Sequence, residues 1–475
     1  DVAFATSGGT QLAIGSGNIL SVAASQTIGN ATLAATGSAP VVFFGTINPQ
    51  NTPAAATAPT FTQAEGAFLV DAGADLTVNA AFYNTQNVTK GLGGSLTFAT
   101  KQYFNAGAQY FTINGGTVTL AGGENTLWQG AQGGGVQGQS LAIGPGATLQ
   151  LNGNSQMVGD LRSPNGTALV GSGGVVVNSS SGTTATFISV NANSAWGGNL
   201  SAGTGSIFFN KAGTGTLSLY GDNTYTGGTL INGATLTLLD EGRLSGTSAV
   251  ELAYGGLTLN NGGTVNLTDR LPDAAPLVSR GGTFILQGRD TFNVTETVGA
   301  LTLERGLTSL ALAPAANGVI RSVVLSVGNL TRNNDSTMLY WSSPIVNGQM
   351  GSNGRMVIAN GTSLLVNNII PWASDGVEFA SYMAPSAGNL SGGLANLNQP
   401  GYAGYDATIV PAGSGVATQN LRLASASYVI PDVSTGSAGS YLANSIVFVT
   451  SANNQSLTFA DSANDTLNLT SGGFS

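Results

Sequence analysis

The chain of 475 residues contains no cysteine and no histidine, and only 7% of its residues are charged, against about 25% in an ordinary soluble domain. Each absence removes a class of chemistry. Without thiol or imidazole there is no Cys/His zinc site, no Ser-His-Asp triad and no thiol nucleophile. The 13 Lys and Arg residues are scattered among 22 acids, giving a net charge of -9 and a pI near 4.4. No basic run can neutralise a stripe of phosphates, so a nucleic-acid partner is not expected. No stretch approaches the ~20 uninterrupted apolar residues of a membrane helix, so no span is expected within this chain. The opening Asp1-Val2-Ala3-Phe4 lacks the basic and apolar regions of a secretory leader, and any such leader is expected to have been removed. Lack of cysteine suits an exported bacterial chain.

What is present is 42% hydrophobic residues and 70 glycines. That is too apolar for a disordered tract. The apolar residues recur in short alternating cores, among them Val118-Thr119-Leu120, Leu149-Gln150-Leu151, Leu217-Ser218-Leu219, Leu236-Thr237-Leu238, Leu257-Thr258-Leu259, Leu301-Thr302-Leu303, Leu457-Thr458-Phe459 and Leu467-Asn468-Leu469. Alternation of this kind sends one set of side chains to each face of a strand. Gly-Gly, Asn-Gly and Gly-Asp-Asn clusters between the cores are turn formers. From Leu217 to Leu236 is 19 residues, and from Leu236 to Leu257 is 21. A near-constant step of roughly 20 residues favours a parallel β-helix, one turn of the solenoid per step, over an antiparallel sandwich.

The most regular segment runs Lys211-Ala212-Gly213-Thr214-Gly215-Thr216-Leu217-Ser218-Leu219-Tyr220-Gly221-Asp222-Asn223-Thr224-Tyr225-Thr226-Gly227-Gly228-Thr229-Leu230-Ile231-Asn232-Gly233-Ala234-Thr235-Leu236. It closely resembles the passenger-associated transport repeat of bacterial autotransporters. It departs from that pattern only where Leu230 precedes Ile231 and where Ala234 separates Gly233 from the closing strand. The resemblance implies secretion and a β-helical stalk, and it defines no catalytic residues. Looser similarity extends over residues 141–162, Asp269-Arg270-Leu271-Pro272-Asp273, Thr295–Leu303 and residues 364–410, while residues 1–140 match in composition alone.

Read physically, Gly213, Gly215, Gly221, Gly227, Gly228 and Gly233 are expected to supply positive φ at corners. Leu217, Leu219, Ile231, Leu236 and Leu238 should point inward, Asn223 and Asn232 should form amide ladders between turns of the solenoid, and Tyr225 should cover one side of the core. The expected fold is all-β, a right-handed parallel β-helix with loop excursions. Residues 1–140 form a β-rich cap or first coils with a Pro/Ala-rich arm at 48–59, residues 141–310 the regular helix, and residues 311–475 a less regular continuation with loops at 314–320 and 383–403. Strand rhythm persists to Leu469, so an uncapped end available for head-to-tail association is expected. At about 4.8 Å per coil the rod would be on the order of 100 Å long.

Four carboxylate pairs are candidates for acid chemistry: Asp71 with Asp75, Asp240 with Glu241, Asp269 with Asp273, and Asp461 with Asp465. Paired acids can hydrolyse glycosides, but each pair sits beside Gly-rich turns where acids are ordinary solvated residues, and no catalytic residue is expected. Calcium is the one cofactor considered, on the oxygen ligands Asp222, Asn223, Asn334 and Asp335; neither cluster has the spacing of a known calcium loop. Trp341, Trp372, Tyr402 and Tyr405 could stack on sugar faces, as could Tyr340, Trp128 and Trp196. The expected function is that of an exported extracellular structural protein that associates with itself and adheres to surfaces or glycans. The alternative is a polysaccharide-degrading or glycan-binding protein on the same fold, and a secreted toxin passenger is a third.

Overall fold

The structure, a computed structural model, describes residues 11–15, 26–28, 32–36, 41–42, 65–70, 72–78, 83–84, 87–104, 110–128, 131–132, 135–136, 140–166, 168–190, 193–313, 321–334, 336–342, 354–385, 392–424, 427–431, 439–449, 456–460 and 465–474. The arm at 48–59, the segment 314–320, and Asp71, Asp335 and Asp461 lie outside them. Among the described residues the chain is all-β, with short 3-10 turns and no α-helix. It divides into two compact units, one of Asp1–Thr258 with Arg270–Pro272, the other of Leu259–Asp269 with Asp273–Ser475.

In the first unit a strand pairs in parallel with the strand one pass later, not with its sequence neighbour. Gln26–Ile28, Asp75–Val78, Ser95–Phe98, Gly116–Leu120, Ala147–Gln150, Val175–Val177 and Asn199–Ser201 make one seven-stranded sheet. Val41–Val42, Glu65–Leu69, Asn87–Gly91, Tyr110–Ile113, Ser140–Ile143 and Leu161–Arg162 make a six-stranded one. The register stacks like on like. Leu76, Leu96, Val118, Leu149, Val176 and Leu200 are successive partners, and all are fully buried. Period-2 alternation gives each short strand one such inward residue or two. Burying each contributes roughly 1.5–3 kcal/mol. A pass of chain therefore adds little alone and gains its stability from the passes on either side. Among the described residues the antiparallel pair Ala131–Gln132 with Gly135–Val136 interrupts the scheme.

Further along the unit, Gln156–Val158, Thr184–Ser189, Ser206–Ala212, Thr229–Asn232 and Val250–Ala253 stack in parallel, as do Ser194–Trp196, Thr216–Leu219 and Thr235–Leu239. Aromatic side chains meet across passes in this core. Phe187 and Phe209 stack at 6.4 Å, and Phe209 meets Tyr225 edge-on at 6.1 Å.

The second unit repeats the parallel rule with longer strands. Val294–Leu303 pairs with Val323–Arg332, which pairs with Gly354–Ile358; Gly282–Gln287 pairs with Leu307–Ala313, which pairs with Thr337–Ser342 and then Ile370–Ser374. The rule then breaks. Phe379–Met383 runs antiparallel to Ile370–Ser374, and Gly393–Asn396 runs antiparallel to Phe379–Met383. Parallel stacking resumes in Asn420–Leu423, Ser440–Phe448 and Thr466–Phe474, and in Ser427–Ile430 with Ser456–Phe459. Leu421, Leu423, Ile430, Tyr441, Ala443 and Ile446 form the core there.

Candidate functional site

The regular segment around residues 209–238 is built outward from strand Ser206–Ala212, whose alternation turns Ile207, Phe209 and Lys211 inward. Lys211 is fully buried. Its Nζ donates to the backbone oxygens of Ala212 (2.9 Å) and Thr214 (3.4 Å), so the ammonium neutralises a carbonyl-rich corner. Burial lowers its pKa, and the Asp160 carboxylate opposes that shift. Gly213 and Gly215, at φ 79° and 78°, turn the chain into strand Thr216–Leu219.

Asn223 follows, fully buried. Its Oδ1 accepts from the Leu200 amide at 2.9 Å, while its Nδ2 donates to the oxygens of Gly221 (2.8 Å) and Arg243 (3.1 Å). One side chain thus bonds the preceding pass, its own and the next. Tyr225 is buried at the core's centre. Its hydroxyl lies 2.5 Å from Thr229 Oγ1, which lies 2.8 Å from Thr247 Oγ1, and Thr247 donates to Ala249 O at 3.0 Å. Burial pushes the Tyr225 hydroxyl well above the ordinary phenol range.

The glycines divide into two kinds. Gly213, Gly215 and Gly233 have positive φ, whereas Gly221, Gly227 and Gly228 do not. The expectation of positive φ at all six is therefore corrected. A Cβ on Gly221 would fall 2.4 Å from Gly198 O, and one on Gly227 would fall 2.0 Å from Ile207 O. These positions need glycine because neighbouring backbones approach closely. Leu217, Leu219, Ile231, Leu236 and Leu238 are all fully buried. Asn232, by contrast, is exposed at the end of Thr229–Asn232. Side-chain amides do stack between passes elsewhere, where Asn444 Nδ2 donates to Asn420 Oδ1 at 2.8 Å.

Two further residues belong to the same device and escaped the sequence reading. Asn178 accepts from Gly153 N (2.9 Å) and donates to Ser206 O (2.9 Å), spanning three passes as Asn223 does. Lys90 is fully buried, and its Nζ donates to the oxygens of Gly91 (2.9 Å), Leu92 (2.9 Å) and Gly115 (3.0 Å). Burial lowers its pKa to about 8. The signal was available. Lys90, Gly94, Leu96 and Phe98 keep the spacing of Lys211, Gly215, Leu217 and Leu219, and Leu92 has φ 64° where Gly213 has 79°.

The other candidates are dispersed. Asp222 pairs with Arg243 Nε (3.0 Å) and accepts from Ser245 Oγ (2.5 Å), so both carboxylate oxygens meet protein donors. Asn334 has positive φ, and its Nδ2 donates to Glu304 O at 3.3 Å. Asp240 has positive φ, Asp269 and Asp273 are exposed, and Asp465 accepts from Gly439 N. Of the aromatics, Trp196 is fully buried, and the side chains of Trp128, Tyr340 and Trp341 lie outside what is described. Tyr402 donates to Gly393 O. Tyr405 accepts from Phe379 N (3.3 Å), and burial first, then the Glu378 carboxylate, raises its hydroxyl pKa strongly. Trp372 lines an open cleft in the second unit.

Comparison with known proteins returns no matching curated protein and no matching solved structure for the chain. Residues 209–238, the segment whose lysine corner, bridging asparagine and buried tyrosine are described above, match the family model of the passenger-associated-transport-repeat, a repeat that implies an exported autotransporter passenger.

Proposed function

We propose that this chain is an exported bacterial surface or fibre subunit, a right-handed parallel β-helix that extends as a rod, associates end to end and adheres to surfaces. The observation that carries this reading is the use made of the repeat's polar side chains. Lys211 and Tyr225 fix the turns between strands, while Asn223 bonds the passes on both sides of it and Thr229 bonds Thr247 one pass later. Such residues hold coil to coil, which is what a stalk requires. Parallel strands stacked in register add a second support, since each repeat of a solenoid contacts its neighbours and the array extends by addition.

Electron microscopy of the purified chain at rising concentration tests this. Filaments one subunit wide, with an axial repeat near one subunit length, are expected. Single particles at every concentration would remove end-to-end association and leave the repeat and its stacking as they are.

A further inference from the structure

Beyond the stalk reading, the second unit carries a cleft of about 510 Å³, a size suited to a small ligand. Its wall includes Arg332, Thr337, Trp372, Ser374, Ser471 and Phe474. Strand pairing builds it. Met338 is the register partner of Ala373, which sets Thr337 beside Trp372 on adjacent strands. Trp372 is half-buried, and Phe474 is 57% exposed. The Phe474 ring is nonetheless held, edge-on to Phe448 at 5.7 Å. Buried Ala373 and Phe379 also line the cleft.

Arg332 supplies the charge. Its Nε donates to Ser336 O at 2.6 Å, which anchors the guanidinium through one N–H. Arginines 243, 280 and 422 each pair with a carboxylate, Asp222, Glu304 and Glu378 respectively. Among the described residues Arg332 pairs with none, and no carboxylate is among the cleft's described lining residues. In a chain of net charge -9, an arginine left without an acid beside a half-buried Trp372 and an exposed Phe474 is a feature that a stalk does not require.

We propose that this cleft binds a carboxylated sugar, a uronic or sialic acid residue of a glycan. The apolar face of the pyranose would lie on Trp372, with Phe474 at its edge. Its carboxylate would take the guanidinium N–H groups of Arg332 that Ser336 does not use, a charge-assisted contact. Ser374, Ser471 and Thr337 offer hydroxyls to the ring hydroxyls. This names the ligand class for the adhesive part of the proposed function, on which it rests. End-to-end association is independent of it.

The test is calorimetric titration of the full chain with trigalacturonate and with sialyllactose, each beside its neutral counterpart, trigalactose and lactose. An acidic sugar should bind at least roughly tenfold more tightly than its neutral partner at low salt, and more weakly as salt rises. Using both acids shows whether the carboxylate is taken from a uronate or from a sialate. Arg332→Gln should erase the preference for acid, and Trp372→Ala should abolish binding while Trp372→Tyr keeps it within about threefold. Circular dichroism of each variant separates lost binding from lost fold. Equal binding of acidic and neutral sugars, or variants that bind as wild type does, would overturn the carboxylate assignment while leaving adhesion standing. No binding by the wild-type chain would overturn the site itself. A Trp372→Ala chain that sediments differently without any sugar would assign the cleft to a second copy instead. Adhesion of the intact chain to cells, measured in parallel, shows whether the broader reading survives either failure.

Discussion

Asn223 and Asn232 occupy the same repeat and look alike in sequence, yet one is fully buried with three bonds to three passes and the other is exposed. The difference lies in what surrounds each amide, since a buried amide must find partners and an exposed one has water. Lysine shows the same contrast with sharper consequences. Burial lowers Lys90 to about 8 from its ordinary 10.5. Between these values the unfolded chain keeps a proton that the folded chain releases, so the stability tied to Lys90 rises with pH across that window. Lys90→Met has no such dependence. Urea midpoints measured from pH 8 to about 10 should therefore move in favour of wild type relative to the variant as pH rises. A constant difference would contradict the burial account. The window closes near the ordinary lysine value of 10.5; above about pH 10 the Tyr225 hydroxyl, raised by burial, lowers the stability of wild type and variant alike, because the unfolded phenol ionises before the folded one.

At the scale of the element, a strand of four residues cannot hold itself, and its neighbours must come close enough to pair. Gly227 marks such an approach. A Cβ there meets Ile207 O at 2.0 Å and the Ile207 carbonyl carbon at 2.6 Å, both backbone atoms of strand Ser206–Ala212. At Gly228 the nearest atoms, at 3.0 and 3.3 Å, belong to the Phe208 ring, which can turn. Gly227→Ala should cost about 1–3 kcal/mol or more, and Gly228→Ala less than about 1 kcal/mol; thermal unfolding of the two variants compares them. Equal losses would mean that the passes separate easily. Alternation announced most of these strands in the sequence, because period-2 burial is local. The antiparallel run through Ile370–Ser374, Phe379–Met383 and Gly393–Asn396 was not announced, since strand direction depends on where the connecting chain returns.

For the whole molecule, stacking of neighbours predicts how damage spreads. Leu217 pairs with Ser194 and Leu236 on the adjacent passes. Leu217→Ala should cost about 2–5 kcal/mol, and its effect should fall on those neighbours. Amide hydrogen exchange should quicken first in Ser194–Trp196 and Thr235–Leu239, with Asn420–Leu423 in the second unit unchanged. Uniform quickening over both units would show one cooperative fold in place of a stack.

Composition and spacing alone determined that the chain is all-β, that strands around residues 211–260 come in passes of roughly 20 residues, and that residues 211–236 carry a passenger-type repeat. These properties are encoded in residues near one another, by alternation, by turn formers and by a motif with fixed offsets. Tertiary structure decided the rest. It separated glycines that bend the chain from glycines that let another backbone approach, placed Lys90 and Asn178 in the roles of Lys211 and Asn223, and sent Tyr402 and Tyr405 to internal bonds while setting Trp372 beside Arg332 and Phe474. Each of these depends on residues one or more passes away, and one pass is set upon another by register, which no local stretch of sequence contains.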